Sequence, residues 1–332
     1  MGDFKIQGIT PAAEKLKLGS LNVSKIYNGS TLVWPPGACT GYVFTSTAEL
    51  QTAVNLWISN ESSAIATYGQ INTWCTGNVT SMDSIFLNKT TFNDDISNWD
   101  VSSVTNMRVM FSGATAFNQD IGSWDVSSVT NNFLMFNNAT SFNQNIGGWD
   151  VSSFTDMNGM FQNASSFNQP IGAWDVSNIT SMQGMFYGAS SFNQPLNSWD
   201  VSSVTNMSST FNKASNFDQP LNNWDMSSVT VTQAMFFDAD SFDGDIRAWD
   251  LSSCANISQM FWGASSFNQN IGIWDVSSVT TSASMGYMFR DATVFNQNLR
   301  GWCVTYITSE PSNFSVNSAL TAYNKPLWGT CP

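Results

Sequence analysis

The chain of 332 residues carries 11 Lys and Arg against 24 Asp and Glu, a net charge of −13, and contains no histidine. The missing imidazole excludes Ser-His-Asp and Cys-His nucleophile systems, His general bases and His-ligated metals, and an acidic surface without basic clusters repels phosphate backbones, which argues against nucleic acid as a partner. Charged residues make up only 11% of the chain and aromatics 14%, so solubility rests on Asn, Ser, Thr and Gly, a bias of the kind that internal repetition produces.

The first segment, residues 1–38, is set apart by charge: Lys5, Lys15, Lys17 and Lys25 outnumber Asp3 and Glu14, making it +2 while the remainder is −15. Met1 to Ile6 shows no apolar signal region and no myristoylation pattern, and no apolar run is long enough to span a membrane. Lys25 to Trp34 reads as a β-hairpin turning at Asn28-Gly29, and Pro35-Pro36-Gly37 ends it as a linker. The stretch Leu18 to Pro35 resembles the short N-terminal β modules of phage virion proteins, which implies that residues 1–38 form an anchor on other virion proteins.

Residues 39–73 are expected to form a cap. Ser46 and Glu49 make a capping box, and Leu50, Ala53, Val54 and Trp57 follow helical spacing, so a helix is predicted to cover the first repeat.

From Trp74 the sequence keeps one beat. Trp74, Trp99, Trp124, Trp149, Trp174, Trp199, Trp224, Trp249 and Trp274 recur every 25 residues, and Trp302 follows after 28 because three residues are inserted within Thr281–Met288. One Phe column runs from Phe111 to Phe261 and a second, in a Phe-Asn-Gln element, from Phe117 to Phe267. A unit this small cannot bury its apolar face alone, so residues 74–302 are expected to stack about nine repeats into a solenoid. Within a unit, the alternation of Trp124 and Val126 with Ser123, Asp125 and Ser127 predicts a short parallel strand. The run Thr105, Met107, Met110, Phe111 predicts a short helix or 3-10 turn, and Asn118, Asn143, Asn168 and Asn193 are expected to form a ladder that satisfies freed backbone groups. The expected fold class is thus an α/β repeat solenoid of leucine-rich-repeat type, closed by a C-terminal cap over residues 303–332.

The unit Phe117-Asn118-Gln119-Asp120-Ile121-Gly122-Ser123-Trp124-Asp125-Val126-Ser127-Ser128-Val129-Thr130 closely resembles the BspA-like, leucine-rich-repeat-related surface-protein repeat of mycoplasmas, other bacteria, marine organisms and some phages, over roughly residues 44–302. The resemblance implies surface display and adhesion and brings no catalytic residues with it.

Five cysteines show no metal-binding spacing. Cys303 with Cys331, and Cys39 with Cys75, are placed to clamp the two ends, while Cys254 stands where other repeats have a core Val. Eight aspartates, Asp100, Asp125, Asp150, Asp175, Asp200, Asp225, Asp250 and Asp275, form one column. Stacked about 5 Å apart, each neighbouring pair repels by about 0.8 kcal/mol even at the dielectric of water. The carboxylates must therefore either accept backbone N–H bonds from the following Ser-Ser turn or be bridged by cations. A second acidic group, Asp238, Asp240, Asp243 and Asp245 around Gly244, is a candidate Ca²⁺ site, although it departs from the EF-hand pattern; no other cofactor is implied.

Positions before and after each Trp are small and nearly constant, which suits a scaffold surface. Variation gathers one residue after the first Phe column, where Tyr187, Phe237 and Trp262 fall within four successive units and form a candidate apolar strip for a host glycan or protein. Catalysis by paired carboxylates, as in a polysaccharide-degrading tailspike, needs one pair with unlike environments, whereas most carboxylates here are repeated in every unit. The expected function is therefore a non-enzymatic phage virion appendage or capsid decoration protein, a homo-oligomer attaching to host surfaces. A secreted or cell-surface bacterial adhesin is the alternative.

Overall fold

The computed structural model describes the strand residues between 17 and 34, Cys39, and residues 41–332. Near the N-terminus, β1 (Lys17–Leu18) pairs antiparallel with β2 (Leu21–Asn22), and β3 (Ile26–Asn28) with β4 (Thr31–Trp34). The predicted hairpin is present, with Asn28 paired to Thr31; the turn between them lies outside the described residues. The remainder of residues 1–38, including the Pro35-Pro36-Gly37 linker, lies outside the described residues.

The cap begins with α1 (Thr47–Ser59). Ser46 caps it, its side chain accepting from the Glu49 backbone N–H at 3.2 Å. Glu49 reaches back to the Thr45 N–H at 2.9 Å, one residue further than a reciprocal capping box requires. Leu50, Ala53, Val54 and Trp57 are the buried face. Asn60 ends α1 and starts α2 (Glu61–Tyr68): its backbone N–H donates to the Leu56 carbonyl and its side chain accepts from Ser63 N–H. No helix among the described residues is long and apolar enough to cross a membrane.

Beyond Trp74 each 25-residue unit is built from turns. The strand expected at Trp124–Val126 is absent: Trp124 N–H donates to the Ile121 carbonyl three residues back, and Val129 N–H to Val126. The short helix expected after Thr105 is absent as well. In its place, the N–H groups of Met107, Val109, Phe111 and Gly113 donate to carbonyls of the next unit at Asn131, Phe133, Met135 and Asn137, while those of Met110, Ser112 and Ala114 close three-residue turns within their own unit. Left-handed residues produce this alternation, with φ of 45° at Val109 and 73° at Gly113. They curl the chain so that successive N–H groups point alternately along the array and back into the turn. Isolated parallel bridges such as Asn106 to Asn131 are all the β structure that results among residues 41–332. The apolar alternation at Trp124 and Val126 was read as a strand because a chain of tight turns buries the same residues.

The left-handed positions form two columns. One contains Asn88, Gly113, Asn138, Asn163, Gly188, Lys213, Asp238, Gly263, Asp291 and Asn317, and apart from Lys213 these are the residue types that tolerate this conformation. At Gly113 a Cβ would run into the Asn88 side-chain oxygen of the preceding unit.

Successive units are in direct contact. Phe111 stacks on Phe136 at 5.5 Å and on Phe117 of its own unit at 4.1 Å, and both Phe columns continue in this way to Phe289 and Phe295. Pairs of this kind contribute about 0.5–1.5 kcal/mol beyond the area they bury. From Trp99 on, each indole N–H of the column crosses to the segment behind it: Trp124 donates to the Ile96 carbonyl at 3.3 Å, Trp199 to Ile171 at 3.1 Å and Trp302 to Ile271 at 3.0 Å. That donor is why the column is Trp and not Phe. The expected Asn ladder is present, with Asn118 Oδ1 accepting from Asn143 N–H and Asn143 Oδ1 from Asn168 N–H, both at 2.9 Å.

At the C-terminal end, residues 311–324 of the segment expected to cover the array continue its ladder. Phe289 and Asp291 N–H donate to the Phe314 and Val316 carbonyls, and Thr321 N–H donates to Asn296 Oδ1. Phe314 meets Phe289 edge-on at 5.4 Å and Trp328 closes over Phe314. Disulfides join Cys39 to Cys75 and Cys303 to Cys331.

Candidate binding surface

The aspartate column forms the turns after each Trp. In Asp100, Asp125, Asp150, Asp175, Asp200 and Asp225 one carboxylate oxygen accepts both the backbone N–H and the hydroxyl of the Ser two residues on, at 3.0 and 2.6 Å for Asp100. Asp250 and Asp275 accept the backbone N–H from Ser252 and Ser277. The Ser hydroxyl, then the Ser N–H, holds the carboxyls of Asp150, Asp175 and Asp225 below their ordinary value, Ser252 holds that of Asp250 low as well, and the neighbouring aspartate opposes this only weakly at Asp150 and Asp250. Local hydrogen bonds thus outweigh the like-charge repulsion along the column.

The four aspartates proposed for Ca²⁺ do not converge. Asp243 occupies the Asn column, accepting Asn268 N–H at 2.8 Å while its own N–H donates to Asp218. Both oxygens of Asp245 are taken by the Arg247 guanidinium, at 2.9 and 3.0 Å. Asp238 sits at a left-handed position with its N–H donating to the Trp262 carbonyl, and burial raises its carboxyl despite the opposing charge of Lys213. Asp240 is exposed. Among the described residues no cluster of three or more potential protein ligands is close enough to hold a metal ion. The sequence placed these residues together because each belongs to a different ladder column crowded into eight positions.

Of the aromatic column, Phe237 and Trp262 meet at 4.9 Å. Tyr187 is two units away, separated by the buried Asn212, and no ring contact joins it to Phe237 among the described residues. In its place Tyr287 completes the cluster, stacked on Trp262 at 5.1 Å and 13°. The Arg290 guanidinium lies 4.7 Å over the Trp262 ring and pairs with Asp291. Asp291 also accepts the Trp262 indole N–H at 3.0 Å and the Asn317 amide at 2.7 Å, contacts that, with the Arg290 pair, hold its carboxyl low. Tyr287 was missed because it stands in another column, the left-handed one of Val109, Leu134 and Gln259, three residues before the variable column, which continues at Arg290; the signal that could have found it is an aromatic residue at a position where the other units carry none.

Tyr287 also lines a groove of about 480 Å³ together with Gln233, Asn256, Ser258, Gln259, Ser284 and Ser312. Cys254 is buried in the core, and burial raises its thiol.

A chain of one 25-residue unit copied along its length, each copy bonded mainly to its two neighbours, is a repeat protein. It belongs to the family described as "Mycoplasma protein of unknown function, DUF285", whose matches cover residues 52–172, 155–259 and 235–328. No curated protein matches the chain.

Proposed function

We propose that the chain is a non-enzymatic attachment scaffold of BspA-like type, a solenoid that works outside the cell that makes it. The observation carrying this reading is the pair of disulfides, Cys39–Cys75 and Cys303–Cys331, one at each end of the array. Such bonds persist in oxidising, extracellular settings and not in a reducing cytosol. The array supports the same reading, because the aspartates that follow each Trp repeat one turn-capping environment from unit to unit.

The disulfides favour a secreted or cell-surface protein. A virion appendage or capsid decoration protein, assembled in the cytoplasm, is the second reading, and it is supported by the paired strands between Lys17 and Trp34, a small β segment suited to docking on virion proteins. Protease shaving of intact cells and mass spectrometry of purified virions separate the two. Peptides from residues 74–302 released from intact cells, with the four end cysteines oxidised, are the expected result. Recovery only from the cytosol with free thiols would overturn the proposal, and reducing ends appearing on incubation with surface polysaccharide would overturn its non-enzymatic part.

A further inference from the structure

The 25-residue beat is interrupted once within its Trp-marked length, where Thr281–Met288 holds three extra residues and a 3-10 turn, Ser282–Met285, while the N–H groups of Ile257, Gln259 and Phe261 still reach the carbonyls of Ser284, Gly286 and Met288 beyond it. The groove opens beside that interruption. A perfectly repeated surface has no unique position. The insertion supplies one, and the aromatic cluster lies beside it.

The groove has the chemistry of a carbohydrate site. Its lining side chains are amides and hydroxyls, those of Gln233, Asn256, Gln259, Ser258, Ser284 and Ser312, and no charged residue lines it among the described residues. The Gln233 and Gln259 amides have no hydrogen-bond partner among the described residues. One wall is the Tyr287 ring, fixed from behind by Trp262, whose indole N–H and overlying Arg290 are both held by Asp291. A pyranose presents an apolar C–H face and a rim of hydroxyls, which match an aromatic wall and a set of amides. A ring held in place before binding loses little entropy on binding. A protein partner would call for a desolvated apolar centre, and here the apolar rings form only the border. Anionic sugars are disfavoured by the net charge of −13 and by the pairing of Arg290, the cation beside the groove, with Asp291.

We propose that the groove between Gln233 and Ser312, walled by Tyr287, binds a neutral glycan, with Tyr287 as the stacking platform and Gln233 and Gln259 as hydrogen-bonding groups. This rests on the reading of the chain as an attachment scaffold and names what it attaches to.

The test uses the full chain on an array of neutral hexasaccharides of glucose, galactose, mannose and N-acetylglucosamine, beside uronic-acid oligomers, followed by calorimetry with any sugar bound. Binding to at least one neutral sugar, weakened at least tenfold in Tyr287→Ala and severalfold in Gln233→Ala, and unchanged in Tyr187→Ala, is expected. Thermal melts of each variant report whether it folds, and Gln233→Ala alters an exposed side chain that leaves the core intact. Absence of binding to every neutral sugar, preference for the uronic-acid oligomers, or full binding by folded Tyr287→Ala would overturn the assignment. A parallel cell-adherence assay separates the two proposals: adherence undiminished in Tyr287→Ala sinks the groove alone, whereas neutral-sugar binding by a chain found only in the cytosol sinks the scaffold reading alone.

Discussion

Phe161 lies between Phe136 and Phe186, at 5.7 and 5.8 Å, in an environment that its neighbours repeat. Trp74, at the first unit, has Trp99 on one side at 6.1 Å and on the other meets Phe44, Trp57 and Tyr68, three rings from outside the array. The interior satisfies itself by copying: every donor aimed at the next unit finds the same carbonyl. The first unit has no predecessor, and α1 takes that part, with Thr47 Oγ1 donating to the Ser81 carbonyl at 2.6 Å and Gln51 Nε2 to the Ile85 carbonyl at 3.1 Å. Array stability is thus a sum of like interfaces, and the ends need dedicated residues to keep those interfaces from fraying.

The largest effect is expected from breaking an interior interface. Phe161→Ala removes a ring stacked on four others and should cost about 3–5 kcal/mol. Since units touch mainly their neighbours, the loss should also divide one denaturant transition into two, measured by tryptophan fluorescence; a single transition shifted as a whole would show that the array unfolds as one body. Next come the ends. Replacing Cys39 and Cys75 by Ser opens a loop spanning a separation of 36 residues and should cost about 3–4 kcal/mol by the loop-entropy account. Hydrogen exchange should show the loss confined to residues 42–75. Removing one end-cap donor, Gln51→Ala, should cost about 1 kcal/mol and speed exchange in the first unit before any other.

The smallest effect per residue is electrostatic. The carboxyls of Asp150, Asp175, Asp225 and Asp250 are lower in the folded chain than in the unfolded one, so the unfolded chain binds protons more readily as acid is added. Their contribution is complete above about pH 4 and is lost as pH falls through the folded values. Asp238, raised by burial, acts in the opposite sense. Melting temperature should therefore fall below about pH 4, and changing the four lowered residues to Asn should flatten that slope.

What could be read from the sequence was whatever identity repeated. The Trp, Phe and Asn ladders were visible as columns, and α1 was visible because Ser46, Glu49 and four apolar residues at helical spacing agree. Backbone geometry was not legible: turns alternating with left-handed residues bury Trp124 and Val126 just as a strand would, and left-handed positions such as Val109 and Leu134 carry no Gly or Asn to announce them. The final unit was hidden because Phe314 is not followed by a Phe-Asn-Gln element. At the candidate site the column reasoning located Phe237 and Trp262, included Tyr187 because spacing in sequence was taken as adjacency, and passed over Tyr287 because it belongs to the column of Val109 and Gln259. The Ca²⁺ candidate failed for a related reason: Asp243 aligns with the Asn of its column, and alignment to the repeat was the better guide than local acidity.

Because nearly every bond between interior units joins residues 23 to 28 positions apart, excising residues 151–175 would bring Asp150 to Val176 and leave each remaining interface with a counterpart of the same kind. A whole unit can therefore be gained or lost without leaving an interface that has no match. The length of the array is then adjustable in increments of one ring stack, 5.5–5.8 Å along the first Phe column, while the interrupted unit with its groove is carried unchanged.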